Sequence, residues 1–135
     1  MPITGLNHIT LAVSDLPRAL DFYRDVLGAR QVTDAPGSVY LDLGGIWLCL
    51  ERADHVTTRA DDTHIALSCG KADFDALAAR ISARAALWKV NRSEGASLYF
   101  LDPDGHKLEL HIGDLASRLV HYRSHPDKGV RVLKP

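Results

Sequence analysis

Residues 6–13 alternate with a period of two: Leu6, His8, Thr10 and Ala12 share one face, and Asn7, Ile9, Leu11 and Val13 share the other. This pattern predicts a strand. Ser14-Asp15 then offers capping side chains, Pro17 suits a first helical turn, and Leu16, Leu20, Tyr23 and Leu27 make a stripe that Gly28 ends, which predicts an amphipathic helix. A weak strand is expected over 29–33. A better one is expected over 39–43 after Pro36-Gly37, and another over 46–51 after Gly44-Gly45. Tyr40 shares a face with Asp42, and Trp47 shares one with Cys49 and Glu51.

After a polar connector, the pattern restarts. Residues 63–69 read as a strand, and Phe74, Leu77, Ala78 and Ile81 form a helical stripe. A polar, glycine-containing loop at 91–97 then runs into a strand, a tight turn and a second strand ending at His111. The restart is visible in the residues themselves: His8-Ile-Thr-Leu-Ala-Val parallels His64-Ile-Ala-Leu-Ser-Cys. Likewise Val39-Tyr-Leu-Asp with Gly45-Ile-Trp-Leu-Cys parallels Leu98-Tyr-Phe-Leu with Gly105-His-Lys-Leu-Glu. Two βαβββ modules in one α+β domain over 1–135 are the expected architecture, spanning about 1–52 and about 61–112. A terminal helix is expected over about 114–123, with Leu115, Leu119 and Tyr122 inward and an irregular tail after Pro126. Neither module is long enough to bury its own sheet, so the two must pair, within the chain or by exchange in a dimer.

Bulk properties narrow the function classes. A net charge of −1 gives no support to a nucleic-acid surface, so any basic residues that matter act locally. The two cysteines, Cys49 and Cys69, suit buried thiols in a reducing compartment rather than a disulfide framework. The N-terminus lacks a signal peptide's basic head and apolar run, and a cytoplasmic location is expected.

His8 and His64 occupy equivalent positions on equivalent first strands. One histidine on a strand is ordinarily a satisfied core or surface residue; two at the same repeat position point to a shared role. Glu109 lies on the last strand, on the face opposite Leu108 and Leu110, as a carboxylate aimed into a cavity would. Its repeat partner is Cys49. A curled sheet would gather His8, His64, Glu109 and Cys49 around one point. Two imidazoles and a carboxylate suit an open divalent first-row metal site, whereas a thiolate would close the site and favour zinc, so Cys49 is set aside. Pairing with Lys107 or His111 is the plain alternative for Glu109, and His111 is the rival ligand. His111 falls at the strand's end and has no matching ligand in the first module.

Lys89, Arg92 and Arg118 are candidate anion binders, although such residues are normally solvated surface charges. Arg118 differs in lying beside Leu119 at the edge of the terminal helix stripe, where its fork suits a phosphonate or carboxylate. The run Asn91-Arg-Ser-Glu-Gly-Ala-Ser is rich in oxygen donors of the kind that bind hard cations. A plain turn is the simpler account of its spacing.

The module pair resembles the vicinal oxygen chelate superfamily, which includes glyoxalase I, extradiol dioxygenases and fosfomycin-resistance proteins. Leu6-Asn-His-Ile-Thr-Leu-Ala-Val, Trp47-Leu-Cys, Thr63-His64, Trp88-Lys89, the 91–97 loop, Tyr99-Phe-Leu-Asp-Pro-Asp-Gly-His-Lys-Leu-Glu-Leu-His and Leu115-Ala-Ser-Arg-Leu resemble the fosfomycin-resistance glutathione transferases of the FosA type. The resemblance implies a Mn²⁺-dependent, K⁺-activated enzyme that opens the oxirane of fosfomycin with the glutathione thiol. It implies His8, His64 and Glu109 as metal ligands, and Asn91, Ser93, Gly95 and Ser97 around potassium. Thr10, Lys89, Ser93, Tyr99 and Arg118 would hold the phosphonate and oxirane oxygen, Trp47 would wall the cavity, and Tyr40 would assist thiol ionisation. The family's usual assembly implies a homodimer with modules paired across chains, so that His8 comes from one subunit and His64 and Glu109 from the other.

The sequence departs from that pattern at Asp62 and Asp127, where tyrosines are expected, and at Glu51, where a small polar residue is expected. The aromatic residue expected in the 33–36 region is also absent. An added carboxylate beside a phosphonate pocket is unfavourable unless paired. Alternatives are a fosfomycin epoxide hydrolase, with Asp62 activating water, an Fe(II) extradiol dioxygenase and a drug-sequestering module. The cluster of Lys89, Arg118 and the oxygen-rich loop suits a compact dianion better than a catechol. A sequestering module would have no need of the three ligands.

Overall fold

A computed structural model describes residues 1–92 and 95–134 of the chain. The first module runs β1 (His8–Val13), α1 (Leu16–Asp21), a π-helical turn (Phe22–Val26), β2 (Arg30–Gln31), β3 (Ser38–Leu43) and β4 (Ile46–Arg52). The second runs β5 (Ile65–Ser68), α2 (Lys71–Ser82), β6 (Leu87–Lys89), β7 (Ser97–Leu101) and β8 (Lys107–His111), followed by α3 (Leu115–Ser124). Each module forms its own open four-stranded mixed sheet with the same plan, β1-β4-β3-β2 and β5-β8-β7-β6. In both, the first strand pairs parallel with the last and the remaining pairs are antiparallel.

The repeat legible in the sequence is kept in the register. Tyr40 pairs with Cys49, and Cys49 with Thr10, just as Tyr99 pairs with Glu109, and Glu109 with Ala66. The apolar rows of both sheets enter one core: Leu11, Val13, Val39, Leu41, Leu48 and Leu50 from the first module meet Ile81, Phe100, Leu108 and Leu110 from the second. The opposite rows, carrying the candidate site residues, face away from it. Polar links, one buried and two part-buried, join the modules. The Tyr23 hydroxyl donates to Asp102 Oδ2 at 2.7 Å, the Arg80 side chain donates to the Val26 carbonyl at 2.8 Å, and His106 Nε2 lies 2.7 Å from the Ala12 carbonyl.

Several boundaries differ from expectation. The first helix starts as predicted, with the Asp15 side chain accepting from the Arg18 N–H, but it widens into a π-helical turn at Phe22. The extra residue shifts the buried stripe to Leu16, Ala19, Phe22, Tyr23 and Val26, leaving Leu20 and Leu27 only partly buried. Gly28, at φ +80°, then reverses the chain, with the Ala29 N–H reaching the Tyr23 carbonyl at 2.9 Å. Ladder pairing begins at His8 rather than Leu6, and at Ile65 rather than Thr63. On α3, Leu119 and Tyr122 are half-buried but Leu115 is 73% exposed, because the helix's first turn lies beyond the core. Its start is fixed instead by a reciprocal capping box between Asp114 and Ser117. The tail contains one short 3₁₀ turn, Pro126–Lys128. Among the described residues no helix is long and apolar enough to cross a membrane.

Candidate metal and anion site

On the open face of the second sheet, Ala66, Glu109, Tyr99 and Lys89 form one row across β5, β8, β7 and β6. His64, just before β5, turns onto this row, with its Nε2 2.9 Å from Glu109 Oε1. Its other nitrogen, Nδ1, lies 2.7 Å from the Asp62 carbonyl, which can only accept, so Nδ1 carries the proton. In a neutral ring, Nε2 therefore presents a lone pair to a carboxylate oxygen. Two electron-rich atoms so placed need a cation between or beside them, a proton or a metal ion, and a backbone-anchored imidazole is the usual form of a metal-binding histidine. The donor set fits a divalent ion.

Glu109 is buried, and its second oxygen accepts from Ser97 Oγ at 2.6 Å. His111 Nδ1 lies 2.6 Å from the same Oγ and 3.4 Å from Glu109 Oε2. With the hydroxyl hydrogen given to the carboxylate, Nδ1–H of His111 donates to Ser97, so His111 orients Ser97 and Ser97 orients Glu109. Gly95 closes the loop behind them: at φ +80°, a Cβ there would stand 2.6 Å from the Ile112 carbonyl oxygen and 3.2 Å from the His111 ring. Asn91 Nδ2 donates to the Gly95 carbonyl at 2.9 Å. Ser93 lies outside the described residues.

An aromatic wall adjoins the carboxylate. The Trp88 ring is 5.4 Å from His64 and 5.2 Å from Tyr99, and its indole N–H donates to the Leu108 carbonyl at 3.1 Å. A register shift between Leu87 and Lys89 brings successive residues toward the same site, as bulges do. Lys89 Nζ sits 5.4 Å from the Tyr99 ring centroid and 3.3 Å from Asp62 Oδ2. Lys107 Nζ sits 5.1 Å from the Trp88 centroid and donates to the Asp61 carbonyl.

The first sheet presents a second, separate face. His8 lies against Trp47 at 4.4 Å, with Nδ1 2.6 Å from Asn7 Oδ1, and Tyr40 meets Trp47 edge-on at 5.2 Å. Thr10 hydrogen-bonds the Cys49 thiol, whose pKa burial pushes up. Burial thus favours the neutral thiol at Cys49, and both cysteines are free of disulfides. A cavity of about 310 Å³ adjoins Tyr40 and Trp47, beside the Arg30–Asp42 ion pair at 3.1 Å. A larger one of about 770 Å³ lies between α1 and the turn preceding β8, and no candidate residue lines it. Asp127 and Glu51 are exposed, and Arg118 lies on α3, one turn beyond its cap.

The single chain therefore brings His64, Glu109, Tyr99, Lys89 and Ser97 together and leaves His8, Thr10, Tyr40 and Trp47 on the other sheet. Among the described residues no three His, Cys, Asp or Glu side chains converge as a metal-holding group. The sequence already offered His111 as a partner of Glu109, and that pairing is present at 3.4 Å; the Ser97 hydroxyl between them and the Trp88 wall had not been foreseen. The shared strand phase of Glu109 and His111 was the signal for their pairing; the bulge conceals the Trp88 wall.

A model of the Glyoxalase/Bleomycin resistance protein/Dioxygenase superfamily matches residues 5–110. The chain is 44% identical over 133 residues to the glutathione transferase FosA of Serratia marcescens, covering 95% of this chain and 94% of that protein. It is 39% identical over 132 residues to the metallothiol transferase FosB of Staphylococcus epidermidis, covering 90% and 92%. Among solved structures, the fosfomycin resistance protein FosX of Listeria monocytogenes, complexed with Mn(II) and sulfate ion, matches with a TM-score of 0.80 at 31% identity, covering 89% of this chain and 98% of that one.

Proposed function

Because the chain belongs to the glyoxalase/bleomycin resistance protein/dioxygenase superfamily, we propose that it is a fosfomycin-inactivating enzyme that joins glutathione to the antibiotic's oxirane carbon. The observation that carries this reading is the row Glu109–Tyr99–Lys89 with His64 aimed at the carboxylate, which sets an imidazole–carboxylate pair and an ammonium side by side. A compact phosphonate with an epoxide needs both. The likeness to a glutathione transferase and a metallothiol transferase supports thiol transfer.

His8, His64 and Glu109 are the proposed ligands of Mn²⁺. His8 stands on the other sheet, so we infer a homodimer in which the open face of one chain's first module covers the open face of its partner's second. The exposure of Tyr40 and Trp47, about 40% each, on a face rich in candidate residues supports this pairing. Bound there, the metal would supply Lewis acidity toward the oxirane oxygen.

The chain's own residues do the rest. Lys89 and Arg118 would neutralise the phosphonate, allowing an anionic thiolate to approach, with Thr10, Ser93 and Tyr99 fixing its orientation. Trp47 would exclude water and Tyr40 would assist loss of the thiol proton. Sulfur bonds to the carbon bearing phosphorus as that carbon's bond to oxygen breaks, and the oxygen takes up a proton. Asn91, Ser93, Gly95 and Ser97 are the proposed K⁺ loop, which would act on the metal site through the Ser97 hydrogen bond to Glu109.

Phosphorus NMR of fosfomycin incubated with the protein, Mn²⁺ and K⁺ tests the reading, run in parallel with glutathione, with cysteine and without thiol. A glutathione adduct is expected. A diol formed without thiol would select hydrolysis instead, and no product in any tube would sink the assignment.

A further inference from the structure

Asp62 touches the site twice. Its carbonyl fixes the proton on His64 Nδ1 at 2.7 Å, and its carboxylate holds Lys89 Nζ at 3.3 Å. The ammonium so held lies over the Tyr99 ring, on the same row as Glu109. An anion arriving beside Glu109 and Tyr99 meets a lysine already engaged by a carboxylate of its own chain. We propose that Asp62 is an internal competitor for the anion subsite: it occupies Lys89 between turnovers, is displaced by the incoming phosphonate, and recaptures the ammonium as the phosphonate product leaves. This rests on the proposed function in taking Lys89 as the phosphonate's cation.

The surroundings favour such an exchange. The Asp62 side chain is 71% exposed and that of Lys89 is 41% exposed, so the carboxylate can swing into water at little cost while the ammonium stays against Tyr99 and Trp88. The backbone of the same segment has anchors of its own. Lys107 donates to the Asp61 carbonyl, and the Asp61 carboxylate accepts from the Thr63 N–H at 3.1 Å and from Arg59. Exchange at the Asp62 side chain therefore leaves His64 anchored. Asp62 is a residue that sets affinity, acting through Lys89, and has no bond-making part in the reaction.

The test is a double-mutant cycle. Inorganic phosphate binding to the Mn²⁺-loaded protein is measured by calorimetry for wild type, Asp62→Asn, Lys89→Met and the double variant. KM and kcat for fosfomycin are read on the first two. Asp62→Asn keeps the backbone carbonyl and the side-chain shape. It is expected to tighten phosphate and lower the KM by about threefold to fivefold, the scale of an exposed ion pair, without raising kcat. In the Lys89→Met background, the same change is expected to do nothing. Unchanged or weaker phosphate binding by Asp62→Asn, no binding by either protein, or an equal gain without Lys89 would overturn the proposal. Adduct formation by wild type reports separately on the proposed function. An active enzyme with an unmoved ratio fails this inference alone, and the predicted ratio without any adduct fails the function alone.

Discussion

His64 Nε2 and Glu109 Oε1 stand 2.9 Å apart while the other nitrogen of His64 is committed to the Asp62 carbonyl, so a lone pair and a buried carboxylate share one small space. A cation satisfies both. Ser97 holds the far oxygen of Glu109, fixing the direction in which the near oxygen points.

His64→Ala and Glu109→Gln are therefore expected to weaken Mn²⁺ binding by at least about 100-fold, and Ser97→Ala, which spares the ligands, by about tenfold. Electron paramagnetic resonance of free Mn²⁺ during titration measures this directly. Turnover should fall in the same order. Wild-type affinity in His64→Ala would remove the metal site from the account.

Gly95 has no room for a side chain. At φ +80°, with the Ile112 carbonyl oxygen 2.6 Å from where a Cβ would be, Gly95→Ala must strain the loop or push β8 aside. The expected cost is about 1–3 kcal/mol. Thermal unfolding should register that loss, and K⁺ stimulation of turnover should fall by more than Mn²⁺ affinity does. Stimulation equal to wild type would detach the loop from potassium.

Tyr23 and Asp102 tie the modules together. Burial first, and then the neighbouring Asp102 carboxylate, raise the Tyr23 hydroxyl well above its ordinary pKa of 10.0. A raised folded-state pKa means that this contribution to stability is complete below about pH 10 and is lost as pH rises beyond it. Tyr23→Phe leaves Asp102 Oδ2 without its donor, which should cost about 1–3 kcal/mol at neutral pH. It should also remove this residue's share of the alkaline decline. Urea titrations at pH 7, 9.5 and 10.5 measure both. A variant as stable as wild type at pH 7 contradicts the assignment.

Strand phase carried much of the site in the sequence. The alternation around His8 and Thr10 and around Glu109 put these residues on faces turned from the core, and the letter repeat equated Tyr40 with Tyr99 and Cys49 with Glu109, an equivalence that the strand pairings keep. The stretch from 91 to 111 resolved into parts of different legibility: Glu109 from period and repeat, Gly95 and Ser97 through family resemblance, and the hold of Ser97 on Glu109 only from contact. What escaped was set by tertiary packing. The π-helical turn moved a helical stripe without any proline or glycine to announce it, and the bulge before Lys89 let Trp88 reach His64 against simple alternation. The tie from Asp62 to Lys89 joins residues in different elements, which no local pattern encodes.

The proposed metal-dependent fosfomycin transferase site joins two faces that one chain keeps apart. Co-expression of His8→Ala with His64→Ala chains tests it most directly, with each variant inactive alone. If the faces pair across a dimer, a mixed dimer keeps one complete site, and random assembly should restore about a quarter of wild-type adduct formation. An active wild type with no activity in the mixture would contradict pairing across chains.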